Sequence, residues 1–320
     1  MTGASSMIGR HTAARLIERG DEVTTLQRHH TDIDAREVIG AITDRDAVER
    51  ACHGQDAVVH LAAKVGVTGP WDEYRSTNVD GTVLVVEAAR SCGVRAFVHV
   101  SSPSVAHAGE ALVGAGAEPA DPAATRGHYA TSKAMAEVIA LDASSEVMPV
   151  VAIRPHLVWG PGDTQLVGRI VERARQGRLA LVGSGTALID TTYIYNAADA
   201  LVAAVDRVEQ LAGRAFVVSN GEPRTVHELV ARMVAAAGID WTPRHVPVRV
   251  ARGGGSVAEL TWDRLGRTDD PPMTSFLAEQ LSTAHWFDQR DTRAALHWEP
   301  RVSLAEGFER LGAWFRSNDS

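Results

Sequence analysis

Thr2-Gly3-Ala4-Ser5-Ser6-Met7-Ile8-Gly9 opens the chain and runs straight into an amphipathic stretch. A tight glycine turn at a helix N-terminus aims backbone N–H groups and the positive end of the helix dipole at a phosphate. Gly3 permits the turn, and Gly9 lets the helix pack closely on a strand. Ser6 stands where the usual pattern has its middle glycine. Taken alone, such a turn serves equally well as a plain connector. A dinucleotide fold also needs an apolar strand leading into the turn. Only Met1 precedes it, so the reading here is that the first strand is truncated and that residues belong upstream.

Outward from the turn, short β-branched runs alternate with amphipathic stretches. Strands are predicted at Glu22–Leu26, Ala57–Leu61, Ala96–Val100 and Val150–Ile153. Helices are predicted near Ile8–Arg19, Asp44–His53, Asn78–Cys92 and Tyr129–Leu141. In the third of these, Val79, Val83, Val86 and Ala89 recur at helical spacing. Such alternation argues for an α/β fold, a parallel sheet covered by helices on both faces. Past Gly160 the pattern loosens. Helical stretches at Leu166–Gln176, Asn196–Val208 and Thr225–Ala237 mix with short strands such as Ala215–Val218, and Thr242–Pro272 reads as irregular because Gly253-Gly254-Gly255 and Pro271-Pro272 break it. Residues 1–160 are therefore taken as a dinucleotide-binding domain. Residues 161–320 are taken as a mixed region that completes the sheet and forms a smaller substrate-binding part.

Composition narrows the function. The 320 residues are 45% hydrophobic and 22% charged, as in an ordinary globular protein. Lys and Arg number 32 against 40 Asp and Glu, a net charge of −8 that disfavours nucleic-acid binding. No run of roughly 18 uncharged apolar residues suggests a membrane span, and the charged N-terminal stretch does not read as a signal peptide. A cytoplasmic protein is expected. Cys52 and Cys92 read as small buried apolar residues of two helices. No metal site is recognisable among the 13 histidines.

The cofactor is read from the end of the second strand, Thr25-Leu26-Gln27-Arg28-His29-His30. NAD-binding versions carry an acidic residue there for the ribose hydroxyls. Here Gln27 is neutral, and Arg28 suits a 2′-phosphate through bidentate charge-assisted bonds. Arg10 adds a second contact, with Asp32 and Asp34 close enough to offset it. NADP(H) is expected over NAD(H).

Tyr129 and Lys133 are four residues apart, so on a helix they share one face. A nearby ammonium stabilises the phenolate and lowers the Tyr pKa, which suits Tyr129 to general acid–base work. An apolar strand ending in Ser101-Ser102-Pro103-Ser104 precedes them. A serine at that end can hydrogen-bond a substrate carbonyl.

These features, with Leu61-Ala62-Ala63, Asn78-Val79-Asp80-Gly81-Thr82, Arg154-Pro155, Val158-Trp159-Gly160-Pro161-Gly162-Asp163, Tyr193-Ile194-Tyr195-Asn196 and Leu296-His297-Trp298-Glu299-Pro300, follow in the order of the extended short-chain dehydrogenase/reductase superfamily. The chain resembles that superfamily over its whole length. Within it the chain looks most like the 3β-hydroxysteroid dehydrogenase-like branch, and is particularly similar to the bacterial 2-alkyl-3-oxoalkanoate reductases of olefin biosynthesis. The stretches 153–163 and 276–286 carry this last likeness.

The resemblance implies a Rossmann-like, doubly wound sheet. It implies Tyr129 as general acid, Lys133 on the nicotinamide ribose, Ser102 on the carbonyl oxygen and Ser104 lining the same pocket. Gly3, Ser6, Ile8 and Gly9 would approach the pyrophosphate. Ala62, Ala63 and Lys64 would flank the adenosine-side ribose, Pro155 and His156 the nicotinamide, and Asn78 would tie the active-site strands together. Ala41 replaces the acidic residue that many relatives have after Gly40, which leaves adenine to Ile42 and backbone contacts.

The expected reaction is NADPH-dependent reduction of a 2-alkyl-3-oxoalkanoic acid to the 3-hydroxy acid. The substrate is thus a small hydrophobic molecule, with walls from Ala106–His128 and Thr242–Trp286. Arg126, Arg154 and Arg252 are candidates for its carboxylate. Oxidation of a 3β-hydroxysteroid or another bulky alcohol is an alternative, sugar-nucleotide epimerisation or dehydration a weaker one. A redox sensor or scaffold that binds NADP(H) without turnover would lack the Tyr/Lys pair, which this chain keeps. A homodimer, or assembly with pathway enzymes, is compatible with the sequence.

Overall fold

The structure, a computed structural model, describes residues 1–66, 68–106, 109–264 and 274–318. The parts of the expected pocket walls at 107–108 and 265–273 lie outside the described residues.

The glycine turn leads into α1 (Met7–Arg19). The Ser6 hydroxyl caps that helix by accepting from Gly9 N at 3.1 Å, and Gly20 ends it in the left-handed conformation. Six short strands form one parallel sheet: β1 (Thr24–Gln27), β2 (Arg36–Ile39), β3 (Ala57–His60), β4 (Ala96–Val100), β6 (Val150–Pro155) and β11 (Ala215–Val218). β2 pairs with β1, and on the other side the order runs β3, β4, β6, β11. Thr2 joins the two halves by bridging in parallel to Leu26 and His60. Leu26 N donates to Met1 O at 2.8 Å and Thr2 N to Val59 O at 3.0 Å, so Met1 and Thr2 stand in the position between β1 and β3.

β4 and β6 are buried on both faces, with Phe97, Val150, Val151, Ala152 and Ile153 fully enclosed. They read as continuous apolar runs because helices cover both sides. α2 (Arg45–Cys52), α4 (Gly81–Ser91) and α5 (His128–Asp142) pack on one face. α1, α7 (Ile194–Asp206) and α11 (Arg290–Leu296) pack on the other. Between β3 and α4 a short helix, α3 (Trp71–Tyr74), continues into a π-type turn at Arg75–Asp80. Cys52 is buried as expected, whereas Cys92, just past α4, is only half-buried.

The remaining chain builds a second layer. β12 (Arg224–Thr225), β9 (Leu188–Ile189), β14 (His285–Phe287) and β5 (Leu112–Ala115) form a four-stranded sheet. Two smaller pairs join β7 (Val158–Trp159) to β10 (Thr192–Tyr193) and β8 (Ala180–Val182) to β13 (Arg244–Val246). α6 (Val167–Arg175), α8 (Val226–Ala236) and α12 (Leu304–Asn318) enclose the largest apolar cluster, centred on Trp159, Tyr193 and Leu311. The buried Asn196 donates to Val302 O at 2.7 Å and to Asn220 Oδ1 at 3.0 Å, fixing the segment before α12.

One expectation fails. Thr242–Pro272 reads from sequence as irregular, yet α9 (Val248–Arg264) is a 17-residue helix that runs through all three glycines. Each glycine costs about 1 kcal/mol against alanine in a helix, and tertiary contacts override that. Ala251 is buried with Val182 and Ala278. A Cβ on Gly255 would lie 2.5 Å from Ser275 N, so α9 and α10 (Ser275–Gln280) cross with backbones almost touching. Glu259 accepts from Ser275 N at 2.9 Å across the crossing. Among the described residues no helix is long and apolar enough to cross a membrane.

Candidate active site

The glycine turn is pressed against the end of β3. A Cβ on Gly3 (φ +69°) would lie 2.7 Å from Ala62 N, and one on Gly9 2.3 Å from Gly3 O. Only glycine fits either place. Ser5 and Ser6 are exposed, which leaves the α1 N-terminus open to an approaching phosphate.

A buried polar chain connects this turn to α5. Thr2 Oγ1 lies 2.7 Å from His60 Nδ1 and accepts from Ala62 N at 3.1 Å. His60 Nε2 lies 3.1 Å from Thr82 Oγ1, which donates to the Asn78 carbonyl at 2.6 Å. The Asn78 amide clamps Lys64, accepting from its N–H at 2.6 Å and donating to its carbonyl at 3.0 Å. The same Nδ2 donates to Ser132 Oγ at 2.9 Å, and Ser132 donates to the Tyr129 carbonyl at 2.9 Å. Asn78 thus ties the loop after β3 to α5. The π-type turn points it inward, a use such turns often have at functional sites. Burial, reinforced by Lys133, lowers the His60 pKa to about 3 and pushes that of His99 well below the usual histidine range.

Tyr129 lies half-buried at the wall of a cavity of about 470 Å³, which Ser102, Ser104, Pro155 and His156 also line. Ser102 Oγ is 2.9 Å from Ser104 Oγ. Lys133 is buried one turn behind Tyr129, and its ammonium donates to Val100 O at 2.7 Å. Burial lowers the Lys133 pKa to about 8, with Glu137 acting in the opposite sense. The expectation that Lys133 acidifies Tyr129 is corrected. Burial raises the phenol above its usual value, because removing water penalises the phenolate. Only the Ser102 hydroxyl opposes that rise. Lys133 is held at the Val100 carbonyl.

His156 is buried, its ring edge-on to Phe287 with centroids 5.0 Å apart. Next to it Leu157 takes a left-handed backbone (φ +42°), rare for a leucine and a conformation that concentrates at ligand sites. Leu157, Gly66 and Phe287 also line the cavity and were not singled out in the sequence. They carry no chemical signature, and only the chain path brings them there. The predicted walls do contribute, through Leu112, Arg126–His128, Arg252, Glu259, Thr274, Ser275, Glu279, Gln280 and His285. Of the three arginines proposed for a carboxylate, Arg154 is excluded. It is fully buried and forms a two-pronged pair with Glu137, one prong of 2.8 Å, while its third nitrogen donates to Glu118 O at 2.7 Å.

At the expected adenosine end, Arg28 is exposed beside the buried Gln27 and forms no ion pair among the described residues. Arg10 is paired with Asp32 instead of standing free. Glu37, on the neighbouring strand, was missed by the sequence reading. Its carboxylate accepts from Thr31 N at 2.8 Å, Thr31 Oγ1 at 2.7 Å and Gln27 Nε2 at 3.3 Å, so it is occupied in folding the loop after β1. Ile42 is buried against Gly81, Lys64 Nζ pairs with Glu73 at 2.7 Å, and Ala62, Ala63 and Ile8 are partly exposed. Among the described residues no cluster of three or more His, Cys, Asp or Glu could hold a metal.

A model of the NAD dependent epimerase/dehydratase family matches residues 1–219. The chain belongs to that family. Among curated relatives, 2-alkyl-3-oxoalkanoate reductases from Stenotrophomonas maltophilia and Shewanella oneidensis are 40% and 37% identical. Each alignment covers 98% of this chain, and 98% and 85% of the respective relative. A 3-beta-hydroxysteroid dehydrogenase from Mycolicibacterium neoaurum is 29% identical over 94% of this chain and 86% of its own. The solved structure of MoeE5 in complex with UDP-glucose and NAD shares the fold, with a TM-score of 0.77 at 23% identity, covering 100% of this chain and 98% of that one. This member of the epimerase/dehydratase family is an NAD(P)-dependent oxidoreductase of Rossmann-like architecture, in its extended short-chain branch.

Proposed function

We propose that the protein reduces a 2-alkyl-3-oxoalkanoic acid to the 3-hydroxy acid with NADPH. The observation that carries this reading is the placing of Tyr129, Ser102 and Ser104 on one largely apolar cavity with Lys133 directly behind. The names of the two reductases at 40% and 37% identity support the substrate class.

Gly3, Ser6 and Gly9 form the cradle for the pyrophosphate, with the Ile8 backbone beside it. Arg28 meets the 2′-phosphate, Ala62, Ala63 and Lys64 the adenosine-side ribose, and Ile42 the adenine. Pro155 and His156 bound the nicotinamide. When bound, NADPH supplies the hydride to the ketone carbon. Ser102 donates a hydrogen bond to the ketone oxygen and polarises it, and Ser104 holds the Ser102 hydroxyl in place. Tyr129 gives its phenolic proton to that oxygen as it becomes an alcohol. The phenol is protonated at neutral pH, as an ordinary tyrosine is, and burial raises its pKa further; this is the state a proton donor needs. Lys133, one turn behind Tyr129, holds the nicotinamide-side ribose.

The test is oxidation of a 2-alkyl-3-hydroxyalkanoic acid by NADP⁺, compared with a 3β-hydroxysteroid. Turnover of the acid is expected, lost by a factor of about 10² to 10⁴ in Tyr129→Phe while nucleotide binding persists. Turnover of the steroid alone would transfer the protein to the steroid reading. Tyr129→Phe with unchanged rates would remove the proposed acid.

A further inference from the structure

Arg126, Arg252 and Glu279 come from three separate elements and meet on the cavity wall. Arg126 lies in the turn before α5, three residues ahead of Tyr129; Arg252 lies on α9 and Glu279 on α10. Arg126 Nη1 is 3.4 Å from one oxygen of Glu279, and Arg252 Nη2 is 4.0 Å from the other. The Glu279 side chain is 15% exposed, against 60% and 52% for the two arginines. A guanidinium carries five N–H donors. Arg126 spends one of them on a long contact with Glu279, and Arg252 has none within hydrogen-bond distance of it.

Two guanidiniums therefore share one carboxylate, and most of their N–H donors are unspent among the described residues. The other carboxylate on this wall, Glu259, accepts at both oxygens from the Ser275 hydroxyl at 3.0 Å and is turned to holding α10. The third candidate, Arg154, is sealed in its pair with Glu137.

We propose that Arg126 and Arg252 together bind the carboxylate of the substrate, with Glu279 holding the two guanidiniums side by side. The inference rests on the reading of the substrate as a 3-oxo acid. In such an acid a single carbon separates the carboxyl carbon from the ketone carbon. Its anchor must then share the cavity of Tyr129, as these two arginines do. Planar forks facing one anion form charge-assisted bonds that a neutral ester or alcohol cannot replace. The pair thus sets specificity for acids over neutral ligands of the same shape.

The experiment compares a 2-alkyl-3-hydroxyalkanoic acid with its methyl ester as substrates for oxidation by NADP⁺. The wild-type protein is expected to prefer the acid. Arg126→Gln and Arg252→Gln are each expected to lower the acid-to-ester ratio of kcat/KM by about tenfold or more, mainly through KM for the acid, with partial recovery in the lysine variants. The ratio is an internal control, since a misfolded fraction lowers both rates alike. Wild-type preference for the acid that survives both substitutions would overturn the anchor and leave the substrate reading standing. Wild-type protein that oxidises neither compound would overturn the substrate reading, and the anchor with it.

Discussion

Asn78 Nδ2 donates to Ser132 Oγ at 2.9 Å and so joins the loop after β3 to the helix that carries Tyr129 and Lys133. The same amide holds both backbone groups of Lys64. One side chain therefore sets the distance between the expected ribose-binding segment and the expected proton donor. Asn78→Leu leaves the Lys64 N–H and carbonyl without their partners, at about 1–3 kcal/mol each. A lower melting temperature and a fall in kcat larger than any change in KM are expected. Steady-state kinetics with thermal melts checks both, and an unchanged kcat would show that α5 keeps its place without this tie.

Lys133 sets stability against its proposed part in turnover. Its pKa is lowered to about 8 by burial, against about 10.4 in an unfolded chain. Below pH 8 both states carry the proton, and the full cost of the buried ammonium is present. Between about 8 and 10.4 the unfolded chain binds more protons, so this cost is relieved and stability rises with pH. Lys133→Met is expected to stabilise the fold at pH 7 by a few kcal/mol at most, on the order of 3 before the lost bond to Val100 is subtracted. The gain should vanish near pH 10.5 while turnover is lost throughout. Melting curves at both pH values test this, and a variant less stable than wild type at pH 7 would contradict it.

The pair between Arg154 and Glu137 is sealed from solvent, with side-chain exposures of 1% and 0%. Removing one partner strands the other charge, and Glu137→Gln or Arg154→Met is expected to cost about 3–5 kcal/mol. Joint replacement by Arg154→Met and Glu137→Leu should recover most of that, because two buried charges are then removed together. Urea denaturation of the three variants measures the difference. Equal losses in single and double variants would mean that packing, and not charge, sets the cost.

In the proposed reading the exposed Arg28 sets cofactor choice. Arg28→Ala is expected to raise KM for NADPH by about tenfold or more, with little change for NADH. Asp32→Asn, which releases Arg10 from its pair, should lower KM for NADPH. Initial rates with both nucleotides decide, and a clear preference of the wild type for NADH would end the NADP reading.

Much of the fold was legible because its signals are local. β4 begins and ends at Ala96 and Val100, as the apolar run alone predicts, and α1, α2 and α8 fall within a residue of their predicted ends. The helix through Gly253-Gly254-Gly255 was not legible, since glycine propensity argues against it and distant contacts with β8 and α10 stabilise it. Nor was the raised phenol of Tyr129, because spacing shows an ammonium one turn away but not the water that burial removes.

By itself the sequence determined the glycine turn, the alternation of strands and helices, and the Tyr129–Lys133 face, all of which depend on residues within a turn or two of each other. Only the tertiary structure decided that Arg154 belongs to Glu137 while Arg126 and Arg252 belong to the cavity. The three arginines have the same chemistry and no distinguishing neighbours along the chain. What separates them is burial and the partner that a distant segment supplies, and both are fixed by the path of the chain through space.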